Sequence, residues 1–301
     1  PLPAPLDIDV VDADRDRTVP VRVQMPAAAD AAPVVLFSHG LGGTRTTCRY
    51  LADHWAARGY AVVFLQHPGS DDSVWRGVRL GERMAAMREA ASGKNLLLRA
   101  GDVRIVLDRL TEWNAADGHP LQGRLDLEHV GMSGHSFGAV TTQVTTGQSL
   151  PIVGRRLADP RIDAAIAMSP AAKERQQKSF AEIAVPWFAM TGTDDVSPIN
   201  DTTVEDRLRV YPSLPSTIDR YQLVLDSAEH SAFTEGRLPG ERNPHRDSHH
   251  RSILALSTAF WDAHLRGSTE ARAWLQGDGP GSVLDPKDRF EQAHPAPTTT
   301  K

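Results

Sequence analysis

His129-Val130-Gly131-Met132-Ser133-Gly134-His135-Ser136-Phe137-Gly138-Ala139 is the stretch on which the reading of this chain turns. The apolar run Val130-Gly131-Met132 leads into Gly134-His135-Ser136-Phe137-Gly138, and a helix-compatible segment from Ala139 to Thr146 follows. A strand, a tight turn and a helix, with a glycine two residues to either side of a serine, form the setting that lifts a serine hydroxyl above the C-terminal edge of a sheet. A Cβ at either glycine would collide with neighbouring elements in so sharp a turn. The helix N-terminus beside Ser136 favours negative charge developing there.

Working outward, the strand before this turn has companions. Val34-Val35-Leu36-Phe37, Ala61-Val62-Val63-Phe64-Leu65, Ile162 to Met168, Pro186-Trp187-Phe188-Ala189-Met190 and Tyr221-Gln222-Leu223-Val224-Leu225 are short and almost wholly apolar. Strands buried on both faces read this way, as in a parallel sheet covered by helices. Helical patterns fall between them at about 46–58, 81–91, 98–113 and 137–147, with another at 248–265. Strand alternating with helix predicts an α/β protein with a mostly parallel, doubly wound sheet. Ahead of it, Leu6 to Val11 and Val19 to Val23 flank the turn-forming Asp12-Ala13-Asp14-Arg15-Asp16 and predict an antiparallel hairpin, with Pro20 placing it at a sheet edge. One domain is expected over 1–277. The Gly-, Pro- and polar-rich segment 278–301 is expected to be a C-terminal tail along the surface.

Composition narrows the function classes. The 301 residues carry a net charge of −5 and no Lys/Arg run, which argues against a nucleic-acid partner. No apolar run approaches the roughly 20 residues of a membrane span. The lone Cys48 excludes an intramolecular disulfide and a cysteine-based zinc site. His245, His249 and His250 lack the spacing of a metal-binding helix, so no metal or other cofactor is expected. The chain starts Pro1-Leu2-Pro3, compatible with a processed product, so both a cytoplasmic location and a secreted or periplasmic one after loss of a signal peptide fit.

A serine needs a base within hydrogen-bond reach to act as a nucleophile. Downstream of Ser136, Asp226-Ser227-Ala228-Glu229-His230-Ser231 follows the strand at 221–225 and puts His230 just past a strand end. His245, His249 and His250 lie in a polar segment or at a helix start, and His264 inside a helical pattern. His230 is therefore the candidate base. An acid should orient its ring and stabilise the imidazolium. Gly192-Thr193-Asp194-Asp195-Val196-Ser197-Pro198 follows the strand at 186–190 and offers two adjacent carboxylates, Asp195 and the alternative Asp194. The glycine-rich Ser38-His39-Gly40-Leu41-Gly42-Gly43-Thr44 follows the strand at 34–37 and lacks the phosphate-loop pattern. Its Leu41 amide, together with the amide of Phe137, is the candidate oxyanion hole, and His39 is expected to brace the loop. His67, Trp75 and the backbone at Gly40 are candidates for substrate contact, because ligands bind at the C-terminal edge of such sheets. Trp75 has the alternative of packing beneath its own loop.

These four motifs, in this order, resemble the α/β-hydrolase superfamily over about residues 33–266. The likeness is to the predicted dienelactone-hydrolase group, to the polyesterase–lipase–cutinase enzymes and, more distantly, to platelet-activating-factor acetylhydrolases. Met84-Ala85-Ala86-Met87-Arg88-Glu89-Ala90 is also similar to the cutinase-like group. The resemblance implies a serine carboxylesterase working through an acyl-enzyme, on a small-molecule or polymeric ester. It implies an acid three residues after the glycine of G-x-x-D, which is Asp195, whereas a proline four residues after the acid would select Asp194. The chain departs from these relatives in three ways. Dienelactone hydrolases use cysteine where this chain has Ser136. Polyester-degrading cutinases carry an aromatic residue where this chain has Leu41. They also carry a tryptophan where this chain reads Ser169-Pro170-Ala171-Ala172-Lys173. A polyesterase or lipase, an amidase or peptidase, and a non-catalytic binding protein are the competing readings, the last disfavoured by the complete serine, histidine and acid set.

Overall fold

The computed structural model describes residues 1–28, 30–238, 240–243 and 245–295. Nine strands form one sheet: β1 (Leu6–Asp12), β2 (Arg17–Gln24), β3 (Ala32–Ser38), β4 (Ala61–Leu65), β5 (Leu125–His135), β6 (Ala164–Met168), β7 (Trp187–Asp194), β8 (Arg220–Glu229) and β9 (Arg289–Ala293), in the spatial order β1-β2-β4-β3-β5-β6-β7-β8-β9. The pairs from β4 through β8 are parallel. β1–β2, β2–β4 and β8–β9 are antiparallel. The expected N-terminal hairpin is β1–β2, and Pro20 on β2 faces Asp9.

Side-chain alternation assigns the two faces of the sheet. On β3, Val35 and Phe37 pack with Leu51 and Trp55 of α1 (Arg49–Ala57) and with Ile253, Leu256, Phe260 and Trp261 of α7 (Arg246–Leu265). Val34 and Leu36 pack on the other face with Val103, Val106, Leu107 and Leu110 of α3 (Gly93–Ala115). The i, i+3, i+4, i+7 recurrence of those α3 residues is the stripe a helix needs to lie on a sheet. Between α1 and α3, α2 (Arg83–Ala90) lies at the surface; α4 (Phe137–Thr145) leaves the serine turn; α5 (Val204–Leu208) and α6 (Val210–Ser213) follow β7; and α8 (Thr269–Gln276) follows α7. α3 begins earlier than expected because Ser92 caps it, its hydroxyl accepting the amide of Asn95 at 3.2 Å.

The segment expected to be a surface tail differs from that expectation. β9 pairs along β8 from Arg220↔Ala293 to Val224↔Arg289, and Phe290 lies against Phe188 and Tyr221. Its composition suggested a tail because alternation over five residues, Arg289-Phe290-Glu291-Gln292-Ala293, is too short a signal among so many polar neighbours.

The strand order positions the site. From β3 the chain crosses through α1 to β4 on one side, then through α3 to β5 on the other. The loops after β3 and β5 thus diverge from a crevice at the sheet's C-terminal edge, where ligands bind in open α/β folds.

Candidate active site

Ser136 stands at the end of β5, immediately before α4, with φ 56 and ψ −114. A non-glycine residue held there stores roughly 1–3 kcal/mol of strain. The surroundings enforce it: the Ser136 amide donates to the carbonyl of Met168 on β6 at 2.9 Å, and its own carbonyl accepts the amide of Val140. Neither flanking glycine has room for a side chain. A Cβ on Gly134 would run into the Gly138 carbonyl, and one on Gly138 into the Ser38 carbonyl.

His230 Nε2 lies 2.9 Å from Ser136 Oγ, and His230 Nδ1 lies 2.7 Å from Asp195 Oδ1. The ring comes from the turn after β8, where His135 Nε2 lies 3.0 Å from the His230 carbonyl and Glu241 accepts from the amide and hydroxyl of Ser231. Asp195 is fully buried and Asp194, at the end of β7, is exposed. Of the two carboxylates the structure brings Asp195 to the ring; Asp194 does not reach it.

Asp195 is saturated with donors. Oδ1 takes His230 Nδ1 and pairs with the Arg207 guanidinium, whose Nε lies 2.9 Å away while its N–H donates to the Asp195 carbonyl; Oδ2 takes Ser169 Oγ (2.6 Å) and Thr191 Oγ1 (2.9 Å). Burial alone would raise its pKa, but the His230 and Arg207 charges and these hydrogen bonds outweigh it and bring the carboxyl down to about 2. His135, also buried, is pushed down to about 3 by desolvation first and by the charge of His230 second, so it is neutral.

Above Ser136, the amides of Leu41 and Phe137 have no protein acceptor among the described residues. Gly40 lies against Ser136: a Cβ on it would come within 3.4 Å of Ser136 Cβ. Beside Ser136 is a cavity of about 80 Å³, with Leu41, Ala91, Val140 and Ile199 as apolar lining and Asn200 and Thr202 as polar lining.

His67 is not at this cleft. It is wholly buried, Nδ1 donating to Asp102 Oδ2 at 2.9 Å and Nε2 accepting from Ser38 Oγ at 2.9 Å. Serine, histidine and aspartate here repeat the pattern of Ser136, His230 and Asp195, but sealed from solvent. Desolvation and the Arg99 charge push His67 down to about 4. Trp75, half-buried, donates from Nε1 to the Gly42 carbonyl at 2.8 Å, so it packs onto the glycine-rich loop and is not part of the cavity lining. His39 braces that loop from within: Nε2 accepts the His67 amide and Nδ1 meets the Gly40 carbonyl at 2.6 Å.

Three residues here went unread in the sequence. Arg99 on α3, fully buried, reaches Ser70 Oγ at 2.8 Å and the His39 carbonyl at 2.7 Å, and its guanidinium lies 4.4 Å from the centre of the Phe137 ring. Arg207 on α5 clamps Asp195. Ser169, at φ 57 just past β6, supplies a hydroxyl to the same carboxylate. Only Arg207 had a local signal: Thr203-Val204-Glu205-Asp206 is a capping box, in which Thr203 Oγ1 accepts the Asp206 amide and Asp206 Oδ2 accepts the Thr203 amide, and it fixes where α5 begins.

A mostly parallel sheet whose central strand ends in a strained serine elbow at the topological switch point defines an α/β-hydrolase, and the chain is a serine ester hydrolase of that class. Residues 16–104 match the family model described as platelet-activating factor acetylhydrolase, isoform II, a family of serine esterases. The matched segment runs from the hairpin through the glycine-rich loop into α3 and ends before Ser136. It is thus similar to the group that the sequence motifs resembled more distantly. No curated protein matches the chain. Among the described residues, no helix is long and apolar enough to cross a membrane.

Proposed function

We propose that the chain hydrolyses carboxylic esters of small to medium size through an acyl-enzyme, with Ser136 as nucleophile, His230 as general base and then acid, Asp195 as the carboxylate that orients the ring, and the amides of Leu41 and Phe137 as the oxyanion hole. The observation that carries this reading is the unbroken relay from Ser136 Oγ through His230 to Asp195, at 2.9 and 2.7 Å, opening on the cleft.

In this mechanism Ser136 Oγ attacks the ester carbonyl as its proton passes to His230 Nε2. The carbonyl oxygen becomes an oxyanion that the Leu41 and Phe137 amides, free of protein acceptors among the described residues, would receive. Asp195 stays ionised and stabilises the imidazolium. His230 then gives the proton to the leaving alcohol, and water repeats the sequence on the acyl-enzyme. A cavity of about 80 Å³ supports a short group beside Ser136 rather than a long acyl chain.

A fluorophosphonate probe should label the wild type and leave Ser136→Ala unlabelled. With p-nitrophenyl esters of increasing acyl length, turnover should be highest for the shortest chains, and Ser136→Ala should lose at least about 10³-fold in kcat. A wild type that neither labels nor hydrolyses any ester in the series ends this reading.

A further inference from the structure

Arg207 is almost fully buried, and every nitrogen of its guanidinium is engaged. Nε donates to the Asp195 carbonyl at 2.6 Å and approaches Asp195 Oδ1 at 2.9 Å. One terminal nitrogen donates to the Ser169 carbonyl at 2.6 Å, with the Pro170 carbonyl at 3.4 Å. The other lies 3.1 Å from His230 Nδ1. That last contact is unusual. The proton on Nδ1 is directed to Asp195 Oδ1 at 2.7 Å, so Nδ1 has no free lone pair for a second donor. The guanidinium therefore meets the ring edge without a hydrogen bond of its own to Nδ1, and its hold on the site runs through Asp195.

We propose that Arg207 is a positioning residue for ester hydrolysis, one that locks the Asp195 carboxylate in register with His230. The proposal rests on the reading of Ser136, His230 and Asp195 given above. Two consequences of the geometry carry it. First, Asp195 Oδ1 faces both the His230 Nδ1–H and the Arg207 guanidinium, so rotation of the carboxylate away from His230 also breaks the Arg207 contact. Second, Arg207 ties the ends of β6 and β7 together through the Ser169 and Asp195 carbonyls, which holds the triad acid to the strand beside the elbow. The other charged side chains near the ring are engaged elsewhere. His135 is buried and neutral. Glu241 is spent on Ser231, Glu229 accepts the amides of Arg242 and Asn243, and Arg246 points to the carbonyls of Ser231, Thr234 and Gly236.

The test compares wild type, Arg207→Met and Arg207→Lys by the pH dependence of kcat and kcat/KM for p-nitrophenyl acetate, with Ser136→Ala as the control. In Arg207→Met the guanidinium contact with Asp195 Oδ1 and the hydrogen bonds to the Asp195 and Ser169 carbonyls are lost. The plateau kcat should fall by about tenfold or more through loss of alignment, with KM changed less than about threefold. Arg207→Lys keeps a charge but not the planar fork, so its plateau kcat should fall as well. A folded Arg207→Met or Arg207→Lys with wild-type plateau kcat overturns the positioning role, and the lysine variant decides it if the methionine variant does not fold. If wild type is inactive, or Ser136→Ala retains full activity, the underlying reading of the site fails instead, and the proposal with it.

Discussion

Arg99→Met probes whether the buried polar network beneath the glycine-rich loop serves stability or geometry. Arg99 is a buried cation with no carboxylate hydrogen-bonded to it; Asp102, the acid whose charge acts most on it, is already held by Arg17 at 2.7 and 2.8 Å and by His67. Burial pushes the Arg99 guanidinium down to about 9, which corresponds to roughly 5 kcal/mol against its charged form. Methionine removes that penalty and keeps much of the volume. Against this, two strong hydrogen bonds to a charged group, to Ser70 Oγ and the His39 carbonyl, are lost at about 1.5–3 kcal/mol each. The contact with the Phe137 ring goes too, at roughly 1–2 kcal/mol. The terms nearly cancel, so the net change should lie between about 1 kcal/mol of stabilisation and about 3 kcal/mol of destabilisation, at most the low end of the roughly 3–5 kcal/mol of a broken buried ion pair. Activity should suffer more. Arg99 joins the carbonyl of His39, two residues before Leu41, to the ring of Phe137, and so couples the two proposed oxyanion donors. Removing one such donor outright costs about 10²–10³-fold in kcat; loosening both should cost roughly 10–100-fold with KM little changed. Urea unfolding followed by tryptophan fluorescence, alongside kcat and KM for p-nitrophenyl acetate, measures both quantities. A folded Arg99→Met with kcat within a factor of two of wild type refutes the coupling, and a rise in KM at unchanged kcat would place Arg99 in substrate binding instead.

Three further outcomes are expected. Asp195→Asn should lower kcat by about 10⁴-fold, because an amide cannot hold the imidazolium, while exposed Asp194→Asn should stay within a few-fold of wild type; the reverse pattern would exchange their roles. His67 and His135 are buried with pKa values lowered to about 4 and about 3, so the unfolded chain takes up protons that the folded one refuses as pH falls below about 6.5. Their stabilising effect is complete above that pH and is lost downward through about 4; each histidine should cost about 2 kcal/mol at pH 5, and urea midpoints that are level from pH 7 to pH 5 would contradict the burial argument. Phe290→Ala strips the half-buried ring that β9 lays on Phe188 and Tyr221, and should cost about 1–3 kcal/mol in urea unfolding with kcat unchanged; no loss of stability would mean that β9 adds nothing to the sheet edge.

The sheet was legible because its strands are buried on both faces, and runs such as Ala61-Val62-Val63-Phe64-Leu65 have few other readings. The elbow was legible because a strained turn demands glycine at Gly134 and Gly138, a requirement that shows in one dimension. Choosing between Asp194 and Asp195 needed a third dimension: the two are neighbours in the chain, and only the register shift between β7 and β8 after Gly192 separates an exposed carboxylate from a buried one. His67 misled for a related reason. Its place after a strand at the C-terminal edge is shared with His230, and what separates them is depth. His67 meets Asp102 and Arg99, both carried by α3, whose contribution to the site no local pattern announces. The same holds for Arg207 and Ser169, whose effect is exerted through Asp195 and depends on where β6, β7 and α5 converge. Sequence spacing thus reveals the groups proposed to touch substrate, because the elbow and loops that carry them have strict local geometry. It conceals the groups that position them, since a buried arginine can reach a carboxylate from any element that passes nearby.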